Sequence, residues 1–220
     1  MSDPVVTVRG TASLECPPDL ATLSFTVHRA ASSAAEVHDA LAVAVAELGD
    51  QVERFRPALE QSSSGGLHVA PVFSSPKGAR LTGYRGSYTA TLVVADFDAL
   101  APLVQAVTAV PRLEIDGPWW SLRPHSPWPR QARLDAISDA RRRADDYAAA
   151  FGATLTSVVE VSDLDGGYEG APAGAPRRFA LAQKGPGEQP ELDFEPAPQT
   201  VHGTVTVRFT MSAPVLDPTP

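Results

Sequence analysis

Residues 5–14, VVTVRGTASL, alternate apolar with polar side chains and predict a strand. Pro17 and Pro18 follow. Neither has an N–H to give to a ladder, so the strand must end there. Residues 20–29, LATLSFTVHR, alternate more cleanly: Ala21, Leu23, Phe25 and Val27 share one face, and Thr22, Ser24, Thr26 and His28 the other. The intervening CPPD reads as a stiff hairpin link, with the Asp19 carboxylate accepting from backbone N–H groups of the turn rather than holding a ligand.

The period then changes from two to 3.6. Ser33 followed by Glu36 is a capping-box pattern. Behind it Ala34, Val37, Leu41, Ala44, Leu48, Val52 and Phe55 form one apolar stripe, which predicts a helix ended by Pro57. SSSGG (62–66) reads as a loop, and LHVAPVF (67–73), with its proline, as an edge strand. YRGSYTATLVV (84–94) predicts a strong strand. Asp96 is placed to cap a short helix that turns Phe97, Leu100, Val104 and Val107 inward. RLEIDGPWWSLR (112–123) predicts a strand interrupted at Gly117-Pro118.

A third helix opens at Ser126-Pro127 and runs to Phe151, with Gly152 as its stop. Ala136, Ala140, Ala144 and Ala148 recur every four residues, a ridge of small side chains that lets a helix lie close on a neighbour. Asp139 is in reach of Arg142 and Arg143, a pairing assigned to the solvent side. TLTSVVEVS (154–162) and TVHGTVTVRFTM (200–211) predict the last two strands, the latter with Val201, Val205, Val207, Phe209 and Met211 on one face. Between them, residues 163–199 are rich in proline and glycine without periodicity and read as a long mobile insertion.

The element order β-β-α-β-β-α-β-α-β-β implies an α+β fold: a mixed sheet with helices packed on one face, containing a ferredoxin-like β-α-β-β-α-β unit. We expect a single domain over 1–220, interrupted by the 163–199 insertion. The 220 residues carry a net charge of −8, which opposes a nucleic-acid partner, because such partners require a basic face. Nearly all the positive charge is arginine, with lysine only at 77 and 184. Cys16 is the one cysteine, so no intrachain disulfide and no cysteine-rich metal site is available, and the thiol reads as inert. The N-terminus shows no basic-then-apolar leader and no apolar run reaches the length of a membrane span, so a soluble cytoplasmic protein is expected.

Chemistry-bearing patterns are sparse. The five histidines, at 28, 38, 68, 125 and 202, include no helical i, i+4 pair. His28 and His202 lie on threonine-rich strand faces and would approach one another only if those strands were neighbours. There is no nucleophile elbow, phosphate-binding loop or dinucleotide fingerprint. Asp163, Asp165 and Glu169 do not fit a calcium loop and read as a solvated acidic stretch. No catalytic residue, metal ligand or cofactor site is assigned. Trp119, Trp120 and Trp128 are the remaining lead: all the tryptophans of the chain fall within ten residues, and they are the candidate interface or ligand surface. Alternation along a strand sends Trp119 and Trp120 to opposite faces. One is expected under the helix that opens near Ser126, the other at a surface.

Three blocks carry a family resemblance: VRGTASLECPPDLATLSFTVHR, GYRGSYTATLVVADFDALAPLV and ARLDAISDARRRADDYAAAFGATLTSVVEVSD, closed by GTVTVRFTM. Their order and spacing resemble the SIMPL domain family over most of the chain outside 163–199. Members of that family commonly carry an export signal, a pattern this N-terminus lacks, and PQTVHG stands where the family has a Pro-Gly turn. The resemblance implies an α/β domain that self-associates, with a link to stress tolerance or signalling assemblies, no known cofactor and no active site to carry over. The leading expectation is therefore a non-enzymatic homo-oligomer with a scaffold or stress-related role. A small-molecule-binding module using the tryptophan region and the insertion comes second, and an enzyme without a recognisable signature last.

Overall fold

The computed structural model describes residues 3–74, 80–163 and 194–215. In order, these form β1 (Val5–Cys16), β2 (Leu20–Ala31), α1 (Ala34–Glu53), β3 (Leu59–Phe73), β4 (Leu81–Val94), α2 (Leu100–Val107), β5 (Leu113–Ser121), α3 (Trp128–Ala150), β6 (Leu155–Ser162) and β7 (Gln199–Met211). The protein is α+β, with the element order that the hydrophobic pattern predicts.

The strands divide between two sheets, of order β1-β7-β6 and β3-β4-β2-β5, and every pairing in them is antiparallel. A single mixed sheet was the expectation. The change of sheet falls at Pro17-Pro18, which carry no ladder hydrogen bond: β1 finds its partner in β7, while β2 pairs β4 and β5. CPPD is thus not a hairpin link; it is where the chain changes sheets. Asp19 donates its backbone N–H to the Ser121 carbonyl at 2.9 Å, which ties the start of β2 to the end of β5. The chain accordingly falls into two compact units. One holds, of the described residues, 3–17, 123–163 and 198–215; the other holds 18–74, 80–122 and 194–197.

In the β3-β4-β2-β5 unit, Ala21, Leu23, Phe25 and Val27 of β2 are fully buried. They pack with Leu92 and Val94 of β4 beneath Val37, Leu41, Ala44 and Leu48 of α1 and Leu100, Leu103, Val104 and Val107 of α2. Each large side chain in this set contributes about 1.5–3 kcal/mol through burial. Helix α1 starts as its sequence predicts: the Ser33 hydroxyl accepts the Glu36 N–H at 3.3 Å. The Glu36 carboxylate reaches the hydroxyl (2.7 Å) and N–H (3.2 Å) of Ser32, one residue before the cap. Chiefly through that Ser32 hydroxyl, its pKa lies below the ordinary glutamate value. Asp96 accepts the Asp98 N–H at 3.2 Å and opens the turn into α2.

SSSGG is not a loop. It lies inside β3, a 15-residue edge strand whose residues 60–68 are exposed. Weak intrinsic β preference is overridden because β4 offers a long unpaired edge, and the misfit is absorbed by register shifts at Ser64/Gly66 and elsewhere.

In the β1-β7-β6 unit, α3 lies on β1 and β7 through Ala132, Ala136, Ala140, Ala144 and Ala148, all essentially buried. The approach is close enough to require glycine beneath it. A Cβ on Gly10 would overlap the Ala136 carbonyl oxygen, and one on Gly203 would overlap that of Ala132. Val8, Val205, Val207 and Phe209 complete this core. Buried Cys16 donates its thiol to the Gln199 carbonyl at 3.4 Å. Gly152, at φ 63°, ends the helix. Of the 163–199 stretch, residues 164–193 lie outside the described residues; Phe194 packs on the other unit's core, and Gln199 already belongs to β7.

Candidate functional site

Trp119 and Trp120 stand opposite Thr22 and Ala21 of β2. Ala21 faces the core, so Trp120 does too. It is half-buried and meets Phe97 edge-on, ring centroids 4.9 Å apart and planes at 79°. Trp119 points to the other face and is 44% exposed. The interruption before them is present: β5 bears a bulged register against Thr22/Ser24, and Gly117, at φ 108°, brings its backbone so near that a Cβ would lie 2.6 Å from the Thr22 carbonyl oxygen. The ring partner of Trp120, Phe97, stands at the entrance to α2 in the same unit. Trp128 is the first residue of α3, half-buried in the other unit.

A second surface has no counterpart in the sequence reading. Val207 and Phe209 of β7 are 2% and 7% exposed beneath α3. Their neighbours across the ladder, Val161 and Val158 of β6, are 58% and 56% exposed. Helix α3 covers the strands with the glycines and leaves the third strand of the sheet without a lid. Val159 adds a further exposed apolar side chain at the bulge between Val158 and Glu160. The signal available in the sequence was three valines within four residues of a short strand, which alternation alone cannot bury on one face.

Among the described residues, the histidines singled out by the sequence do not come together. His28 and His202 lie on strands of different sheets, so the expected approach of two neighbouring strands does not occur. His28 instead sets Nε2 3.1 Å from the Glu114 carboxylate on β5, and His202 stands opposite Ser13 on β1. Among the described residues no three histidine, cysteine, aspartate or glutamate side chains gather in a way that fits a metal ion. Asp165 and Glu169 lie outside the described residues. Asp139 is structural rather than solvated: its side chain is 17% exposed and accepts the Thr11 N–H at 3.1 Å. That bond first, with the Arg142 and Arg143 guanidinium groups behind it, holds its carboxyl below the ordinary aspartate range. Arg143 donates to the Arg9 carbonyl at 2.8 Å. Together the two side chains of α3 occupy backbone groups of the β1 edge strand.

With this geometry in place, comparison with known proteins identifies the lineage. The SIMPL family model, described as a protein of unknown function (DUF541), matches residues 6–209. The chain belongs to the SIMPL family. Among relatives of this SIMPL protein, the Uncharacterized protein YggE of Edwardsiella ictaluri is 29% identical over 160 residues, 72% of this chain and 67% of that one. The YggE of Escherichia coli K12 is 28% identical over 170 residues, 77% of this chain and 69% of its own. A solved hydantoinase/carbamoylase family amidase from Burkholderia ambifaria overlaps 48% of this chain and 29% of its own at 17% identity, with a TM-score of 0.31, too low to carry an argument. No helix among the described residues is long and apolar enough to cross a membrane.

Proposed function

We propose that this SIMPL protein works without catalysis, as a self-associating component with a scaffold or stress-related role. The observation that carries the reading is the unfinished core at β6. Val158 and Val161 continue the row of Phe209 and Val207 but lie open to water. Covering a valine contributes about 1.5 kcal/mol or more, so a second copy laid on this strip gains several-fold in stability from few contacts. The exposed indole of Trp119 offers a further anchor in the other unit.

Size-exclusion chromatography with light scattering tests it. The expected mass exceeds the 23.2 kDa of one chain at roughly tens of micromolar, and Val161→Asp should reduce it. A single-chain mass at that concentration defeats the reading. The competing reading, a small-molecule module centred on the exposed Trp119, gains if the monomer is stabilised by members of a metabolite panel and Trp119→Ala removes the effect.

A further inference from the structure

The face of the β1-β7-β6 sheet turned away from α3 carries a groove of about 420 Å³ that the self-association reading does not use. Odd-numbered β7 residues Val205, Val207 and Phe209 are buried under the helix, so Thr204, Thr206 and Arg208 emerge on the free face. Arg208 sits on the central strand, flanked in register by Thr7 of β1 and Glu160 of β6. In the next row Ser162 stands beside Thr206. These six residues line the groove together with Val205.

Among the described residues, no hydrogen bond or ion pair engages the Arg208 guanidinium, the Glu160 carboxylate or the hydroxyls of Thr7, Ser162, Thr204 and Thr206. Opposite charges on adjacent strands ordinarily close on one another. Here both stay open to the same groove. We propose that the groove binds a small zwitterion of the free α-amino-acid type, its carboxylate on Arg208 and its ammonium on Glu160.

Charge decides the ligand class. A lone oxyanion such as phosphate meets Glu160 and a chain of net charge −8; a lone amine meets Arg208. A ligand with both signs a few ångströms apart satisfies both groups at once. The guanidinium fork suits a carboxylate in two-pronged fashion. The hydroxyls serve either end, as donors to the carboxylate and acceptors from the ammonium. The site is an open groove, so affinity in the millimolar range is expected, about 4 kcal/mol of binding.

The test is a ¹H–¹⁵N NMR titration of the full chain with L-serine, lactate, ethanolamine and inorganic phosphate. Serine should give saturable shifts at the amides of Glu160, Thr204, Thr206 and Arg208. Lactate and ethanolamine, each lacking one charge, should bind at least about tenfold more weakly, the scale of one charge-assisted contact. Arg208→Gln should abolish the serine response, and Glu160→Gln should erase the preference for serine over lactate. Both side chains are exposed, so the remaining resonances should stay in place and report that the variants fold. The proposal fails if these amides do not respond to serine at roughly 100 mM, far above the expected dissociation constant. It fails equally if phosphate shifts them as strongly, or if Arg208→Gln leaves the response intact.

Discussion

Gly10 of β1 lies directly beneath Ala136 of α3, with the glycine Cα facing the alanine carbonyl and no room for a methyl group between them. Helix and sheet meet backbone to backbone there. Gly10→Ala places its Cβ 2.6 Å from the Ala140 nitrogen as well, against groups that cannot rotate away. It should destabilise the fold by about 1–3 kcal/mol, seen as a lower urea midpoint. Gly49 in α1 is the control: nothing lies within 4 Å of its added Cβ, and Gly49→Ala should stabilise by about 0.5–1 kcal/mol. Equal effects at the two sites would contradict the close approach of α3.

The contact between Asp139 and the Thr11 N–H makes a pH-dependent prediction. The folded-state pKa of Asp139 is lowered, so its contribution is fully present above the ordinary aspartate value, near 3.9, and is lost as pH falls through the lower folded value. Asp139→Asn should therefore be less stable than the parent at neutral pH, by about 1 kcal/mol for a charged hydrogen bond at a part-exposed site. The difference should shrink as pH drops below about 4. Urea unfolding from pH 7 to pH 2 checks it; a constant difference across that range would assign the effect to something other than the carboxylate charge.

The tryptophan pair separates packing from surface. Trp120→Ala removes an indole wedged on Phe97 and should cost about 3 kcal/mol, the lower part of the range for large aromatic deletions because the ring is only half-buried. Trp119→Ala should leave the stability of the isolated chain within about 0.5 kcal/mol. Should it anchor a contact between copies, its loss will show in the light-scattering mass instead.

At the start of α1, Ser33→Ala removes the acceptor of the Glu36 N–H and should cost about 1 kcal/mol by thermal or urea unfolding. Ser32→Ala tests the neighbouring contact: the Glu36 carboxyl should return toward its ordinary pKa, read by NMR titration.

What could be read from the chain was whatever a local period records. The buried faces of β2 and β7, the stripe of α1 and the alanine ridge of α3 all follow from side-chain spacing. Partnership between distant segments does not. Nothing in SSSGG announces that β4 will present it with an unpaired edge, and nothing in CPPD distinguishes a hairpin from a change of sheet. Asp139 looked solvent-facing because its helix neighbours are arginines; the strand edge that it serves is 128 residues away. The same limit applies to β6, whose valines look like ordinary core until the width of α3 is known. The tryptophans were rightly sent to opposite faces, since adjacent strand residues must diverge, but local spacing does not announce Phe97 as the ring that meets Trp120.

The division of the chain at Pro17-Pro18 and again after Leu122 bears on how the molecule is made. During synthesis the segment 18–122 emerges whole and has within itself all four strands of its sheet. β1 is in the opposite position. Among the described strands it leaves the ribosome first and its ladder partner β7 leaves last, with Cys16 and Gln199 183 residues apart. Until β7 follows, Val6, Val8 and the two edges of β1 have no ladder partner. Closing so long a loop is slow compared with local pairing. A nascent chain arrested before Gln199 should accordingly hold one finished sheet and one orphaned strand, the form most in need of a chaperone.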